Sequence, residues 1–199
     1  VVPRPVAFGD HRRFLILATI FALIFENLNV ILFAQSEGGY TYHGFEIYIF
    51  HVPLLVILSW GIILLSSYTL AGKLSTRRWD RIFIATFLTV IIDFTIEFVS
   101  VKQGFWVWHF FQGEYLASVS PGNFIGWFLV SLAFLIAYEY RPRLSFLLGY
   151  PLFLLLSLPL AAVHLLFGLE GMSGYYLVLF LMGFAGLITL RNLKPFTVG

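Results

Sequence analysis

Six apolar stretches of about twenty residues constrain this chain more than any other feature. They run at roughly 14–34, 45–72, 82–101, 122–138, 144–168 and 173–190. Each is about as long as a helix must be to cross ~30 Å of hydrocarbon. Of the 199 residues 60% are hydrophobic and only 11% are charged, with a mean hydropathy of +0.91. One soluble core cannot hide that much apolar surface, because the outside of a folded chain must stay wet. A soluble enzyme, a disordered regulator and a nucleic-acid binder are therefore set aside. No sustained alternation of apolar and polar residues suggests a barrel. The first stretch follows Arg12 and Arg13 as a signal peptide would. It is too long for one, carries Glu26, Asn27 and Asn29, and lacks a small-x-small cleavage site, so it reads as a retained helix. A chain that starts at Val1 is expected to be processed, trimmed or incomplete there.

The basic residues set the orientation. Arg4, Arg12 and Arg13 precede the first span, and Lys73, Arg77, Arg78 and Arg81 lie between the second and third. Arg141 and Arg143 lie between the fourth and fifth, and Arg191 and Lys194 follow the sixth. Eleven of the twelve Lys and Arg thus fall on one side, with Lys102 alone on the other. The positive-inside rule places both termini in the cytoplasm. Contact with lipid headgroups accounts for these charges without a nucleic-acid partner. The segment at 104–121 is aromatic but broken by Gly104, Gly113 and Pro121. It reads as interfacial or partly re-entrant on the outer side. The expected fold is an all-α integral membrane bundle of about six transmembrane helices, forming one domain over 1–199.

Three acids fall well inside spans: Glu26, Asp93 and Glu97. A mid-membrane carboxylate costs a few kcal/mol or more, so each needs a reason. Asp93 and Glu97 are four apart, hence on one helix face. Two adjacent carboxyls in a low dielectric resist double ionisation, so one is expected to hold a proton, as a general acid must. The plainer reading is that neutral acids tie helices together, and Asn27 and Asn29 beside Glu26 suit helix association as well. Trp60 falls near the middle of the second span, too deep for an interface belt, while Trp106, Trp108 and Trp127 crowd the outer end around Asn123. Aromatic faces beside a protonated acid could stabilise a carbocation made by protonating an alkene. Tyr40, Tyr42 and Tyr115 could orient water or relay the proton.

Other chemistries find little support. There is no Cys, so thiolate metal sites, iron–sulfur clusters and Cys nucleophiles are out. His43, His51, His109 and His164 form no HxxxH or related cluster, so no metal site is expected. No Lys lies within a span for a retinal Schiff base, and no GxSxG, Walker A or GxGxxG element occurs.

FENLNV (25–30) followed by GGYTYHGFEIYIFHVPLLVILSWG (38–61) resembles the first signature of the carotenoid-biosynthesis membrane protein family. This is the CruF-type family of carotenoid 1,2-hydratases, with the bisanhydrobacterioruberin hydratases of the bacterioruberin pathway. DFTIEFVSVKQGFWVWHFFQGEYLASVSPGNFIGWFLV (93–130) resembles the second. There an acidic pair precedes a G-x-W-x-W element, a Tyr and an N-F-x-G-W element. The matching positions are Asp93 and Glu97, then Gly104, Trp106 and Trp108, then Tyr115, then Asn123, Phe124, Gly126 and Trp127. The resemblance covers about half of the chain and implies a cofactor-independent hydro-lyase. Such an enzyme adds water to the terminal C=C of lycopene or a C50 relative, giving a tertiary alcohol. The implied partners are the carotenoid, membrane lipids and other carotenoid-pathway membrane enzymes, and the implied location is the prokaryotic cytoplasmic membrane. On that reading Asp93 or Glu97 donates the proton and the other orients water. Trp106, Trp108 or Trp127 stabilises the cation, and Glu26, Tyr40 and Tyr42 support the water or proton path. A carotenoid cyclase or isomerase using the same protonation, a proton-coupled transporter, a carotenoid-binding subunit and a structural subunit stay open.

Overall fold

The computed structural model describes residues 8–33, 39–109, 119 and 121–167. In chain order these form α1 (Phe8–Phe33), β1 (Tyr40–Tyr42), β2 (Tyr48–Ile49), β3 (Val52–Pro53), α2 (Leu54–Leu74), α3 (Arg78–Lys102), β4 (Trp106–Trp108), α4 (Pro121–Tyr140) and α5 (Ser145–Phe167). Consecutive helices pack on each other, and α5 returns to pack on α1. Four stretches are long and apolar enough to cross a membrane: Asp10–Leu32, Leu54–Leu74, Arg78–Lys102 and Asn123–Tyr140. Helix α5 adds a shorter apolar stretch, Ser145–Pro159. Five of the six expected spans thus correspond to helices, and the sixth, at 173–190, lies outside the described residues, as do both termini.

The second span needs correction, because its helix starts at Leu54 rather than near residue 45. Residues 48–53 instead form a hairpin in which Ile49 pairs with Val52 and Tyr48 with Pro53. Pro53 explains the late start, since the residue before a proline is pushed out of the α region. Between the two strands Phe50 takes φ 58°, a conformation that costs a non-glycine residue about 1–3 kcal/mol. Asn27 on α1 secures this turn by accepting the His51 backbone N–H at 3.0 Å.

Helix α3 ends in a glycine cap. Gly104 has φ 73°, its N–H bonds the Val101 carbonyl, and the Phe105 N–H reaches back to the Ser100 carbonyl. This is the Schellman arrangement, which reverses the chain. The reversal carries β4 across the end of the bundle, where it pairs antiparallel with β1: Tyr40 opposite Trp108, Thr41 opposite Val107 and Tyr42 opposite Trp106. The described part of the 104–121 segment is therefore a strand in a ribbon that crosses the end of the bundle. The ribbon was not expected from the sequence. Tyr115 and the rest of 110–118 lie outside the described residues.

The core lies among α1, α2, α4 and α5. Phe14, Phe21, Trp60, Phe134 and Leu135 are fully enclosed. At Gly61 a Cβ would come within 2.5 Å of Thr19 Oγ1, so this glycine sets how closely α2 approaches α1. Three polar residues inside the helices satisfy themselves locally: Thr86, Thr89 and Ser157 each donate to the carbonyl four residues back. Leu55, Ile62, Phe87 and Ile91 are exposed, as suits helices that face lipid. At the end opposite the ribbon, Arg81 bonds the buried Glu139 carboxylate, Tyr68 donates to it at 2.7 Å, and Arg78 lies 3.6 Å from it. Glu139 was missing from the sequence-level set of span acids, and its partners make it a tie between α2, α3 and α4.

Candidate active site

The ribbon lies over the end of the bundle that holds the three acids. A strand turns alternate side chains to opposite faces. On one face Tyr40, Tyr42 and Trp106 point down to carboxyls, and on the other lies Thr41, whose hydroxyl is 3.0 Å from His43 Nε2 and 3.1 Å from His109 Nε2. Cross-strand ring contacts stiffen the lower face: Tyr40 lies 4.9 Å from Trp108 and Tyr42 5.9 Å from Trp106, centroid to centroid.

Glu26 is gripped from three directions. Tyr40 and Tyr42 donate to its Oε2 at 2.6 and 3.0 Å, and the Trp60 indole N–H donates to Oε1 at 2.7 Å. Asn29, one turn along α1, donates its amide to the Tyr40 oxygen at 3.0 Å, which leaves the Tyr40 proton directed at Glu26. Burial, and then the Glu26 charge, holds both tyrosine hydroxyls well above the ordinary tyrosine range, so they remain proton donors. Asn27 and Asn29 thus serve the hairpin turn and the acid clamp, rather than the helix association also open to them from the sequence. Trp60 stacks on Trp127 of α4 at 3.8 Å between centroids and 5° between planes. With α2 starting at Leu54, Trp60 lies in its second turn and not at mid-span.

Asp93 and Glu97 project from one face of α3 toward Asn123 of α4. The Asn123 amide nitrogen donates to Asp93 Oδ2 at 3.2 Å and to Glu97 Oε1 at 3.0 Å. Its two hydrogens suffice for both bonds. Glu97 Oε2 accepts the Trp106 indole N–H at 2.8 Å. Asp93 is fully buried, and its Oδ1 has no hydrogen-bond partner among the described residues. The Trp108 indole N–H is likewise buried without such a partner.

A cavity of about 780 Å³ joins these groups. Glu26, Tyr40, Tyr42, Trp60, Glu97, Trp106, Trp108, Asn123 and Trp127 all line it. Of the site residues expected from the sequence, Asp93 stands behind Asn123 rather than on the wall, and Tyr115 lies outside the described residues. Sequence reading did not single out Ile96 and Ser100 of α3 or Phe45 and Glu46 of the β1–β2 connection, which also line it. The first two stand one residue before and three after Glu97, so helical periodicity could have found Ser100. Two buried carboxyl groups, Glu26 and Glu97, thus face one largely apolar, aromatic chamber, fixed by indole, phenol and amide donors, with the exposed Glu46 at its edge. Such a chamber can hold a proton next to an alkene and offer π faces to a cation.

No curated protein and no solved structure matches the chain. Its family is nevertheless clear, because the sequence profile of one family aligns with residues 3–189, nearly the whole chain. The chain belongs to the carotenoid biosynthesis protein family.

Proposed function

We propose that this protein hydrates the terminal double bond of an acyclic carotenoid, lycopene or a C50 relative, without a cofactor. The observation that carries this reading is the pair of carboxyl groups, Glu26 and Glu97, on the wall of one aromatic chamber. Two acids on opposite elements allow one to give a proton while the other takes one.

The steps balance as follows. The Glu97 O–H bond breaks, and its proton adds to the less substituted carbon of the terminal alkene, consuming the π bond. The tertiary cation left on the neighbouring carbon is stabilised by the faces of Trp60, Trp127 and Trp106. A water held by Glu26, Tyr40 and Tyr42 attacks that carbon. The new C–O bond forms while the water loses a proton to the Glu26 carboxylate. Return of that proton to Glu97 resets the site, and the net change is addition of one water. Asn123 bonds both Asp93 and Glu97, and two carboxyls so placed resist double ionisation. Asp93 therefore keeps a proton available to Glu97 without touching the substrate. The chain sits in the prokaryotic cytoplasmic membrane with the ribbon outside. Lys73, Arg77, Arg78, Arg81, Arg141 and Arg143 flank the helix ends away from the ribbon and support that orientation.

Co-expression in a lycopene-accumulating bacterium tests the reading, with pigment masses followed by liquid chromatography and mass spectrometry. We expect a pigment heavier by one water, absent with Glu97→Gln. An isomer of unchanged mass and shifted absorption would replace hydration by cyclisation, and unchanged pigment, including in a C50 background, would favour a transporter or binding subunit.

A further inference from the structure

The wall of the cavity and its rim come from different segments. Glu26, Trp60, Ile63 and Glu97 on the wall are buried. The exposed lining residues belong to two places. Gly44, Glu46 and Ile47 lie in the β1–β2 connection, and Leu55 and Leu58 lie in the first two turns of α2. Leu55 is 65% exposed and Leu58 42%. With the exposed Ile62 they fall three and four residues apart, a single aliphatic stripe down α2. The mouth is also shallow. Leu58 lies four residues into α2, about 6 Å from its ribbon end, and Glu97 five residues from the end of α3, about 7.5 Å. At that depth a side chain lies in the outer part of the ~30 Å hydrocarbon layer, one to two helical turns from the headgroups. One lip of the mouth is thus charged and polar, and the other is aliphatic and faces lipid.

We infer that this mouth admits two reactants from two solvents. The end of a polyisoprenoid chain slides in from the bilayer across Leu55 and Leu58, and water enters from the aqueous side past Gly44 and Glu46. This rests on the proposed function for its substrate and adds the route. The rest of the polyene never leaves the lipid, because only its end must dip past Leu58 to reach Glu97. The tertiary alcohol forms close to the headgroups, and its hydroxyl is solvated as it withdraws toward them. The same geometry limits each visit to one chain end.

The chain has no Cys, so a single introduced thiol is unique. Spin labels at Glu46→Cys, Leu58→Cys and Leu70→Cys, in the otherwise unchanged protein in phospholipid vesicles, report their surroundings without any turnover. Leu70 is an exposed α2 residue remote from the cavity lining and serves as the lipid reference. We expect the Glu46 label to be relaxed mainly by a water-soluble nickel chelate and the Leu58 label mainly by oxygen, as for Leu70. Adding lycopene to the vesicles should remove oxygen contact at Leu58 but not at Leu70. A Leu58 label relaxed chiefly by the chelate, a Glu46 label relaxed chiefly by oxygen, or no lycopene effect at Leu58 overturns the inference. A turnover assay adds an independent readout. Leu58→Trp should raise KM for lycopene about tenfold with kcat maintained, the pattern of lost uniform binding. An equal fall in kcat with unchanged KM overturns the entry role. If the labels behave as expected while no water is added to any carotenoid, the mouth stands and the hydratase reading fails.

Discussion

Replacing Asn123 by Leu tests the most informative contact in the site. The substitution keeps the approximate shape of the side chain and removes its N–H groups. It deletes the bonds of 3.0 Å to Glu97 Oε1 and 3.2 Å to Asp93 Oδ2. Glu97 keeps the Trp106 donor, whereas Asp93 loses its one side-chain partner among the described residues. Two buried acceptors left unpaired at about 1–3 kcal/mol each give a ceiling of about 2–6 kcal/mol. For a chain of this size that is a fall in Tm of about 2–4 °C per kcal/mol, read by thermal unfolding in detergent micelles. The diagnostic quantity is the coupling. With Asp93→Leu already in place, Asn123→Leu should cost about 1–3 kcal/mol less than it does alone, because only the Glu97 bond remains to be lost. Additive losses, agreeing within about 0.5 kcal/mol, would refute the idea that Asn123 binds the two acids as one unit.

Three further outcomes follow from the same contacts. Gly61→Ala should destabilise the protein by about 1–3 kcal/mol through overpacking of α1 on α2, whereas Gly126→Ala, whose Cβ meets nothing within 4 Å, should be neutral or better in the same melt. Arg81→Met should lower Tm by stranding Glu139, and adding Glu139→Leu should recover most of the loss, since a broken buried pair costs more than an absent one. The raised Tyr40 and Tyr42 values mean that the folded state keeps protons the unfolded state loses above about pH 10. Their stabilising share is therefore complete below that pH and declines as the pH rises past it. Tyr40→Phe with Tyr42→Phe should flatten the alkaline decline in stability followed by circular dichroism.

The bundle was legible because lipid-spanning helices announce themselves by length and apolarity alone. The β-hairpin was not. Residues 45–53 are mostly apolar and run straight into the helix they precede, and the decisive signal was a single Pro53. The β1–β4 ribbon was less legible still, with three-residue strands that pair Tyr40 with Trp108 across most of two helices. Local periodicity carries no information about such a pairing. At the site, the i, i+4 spacing placed Asp93 and Glu97 together, but spacing cannot say which of them meets the cavity. That depends on Asn123, thirty residues from Asp93 on another helix. Glu26 and its two tyrosines could each be named from the sequence. Their convergence on one oxygen comes from the ribbon, which no helical pattern could reveal.

The central claim is that Glu97 gives a proton to carbon and that water, steered by Glu26, takes the cation. The most direct measurement uses the purified protein in lycopene-containing vesicles suspended in deuterated, heavy-oxygen water, with mass spectrometry of the extracted pigment. The account predicts a product carrying one solvent oxygen and one carbon-bound solvent deuterium, lost with Glu97→Gln and strongly slowed with Glu26→Gln. Full hydration by both variants, or a product that gains deuterium but no oxygen, would contradict it.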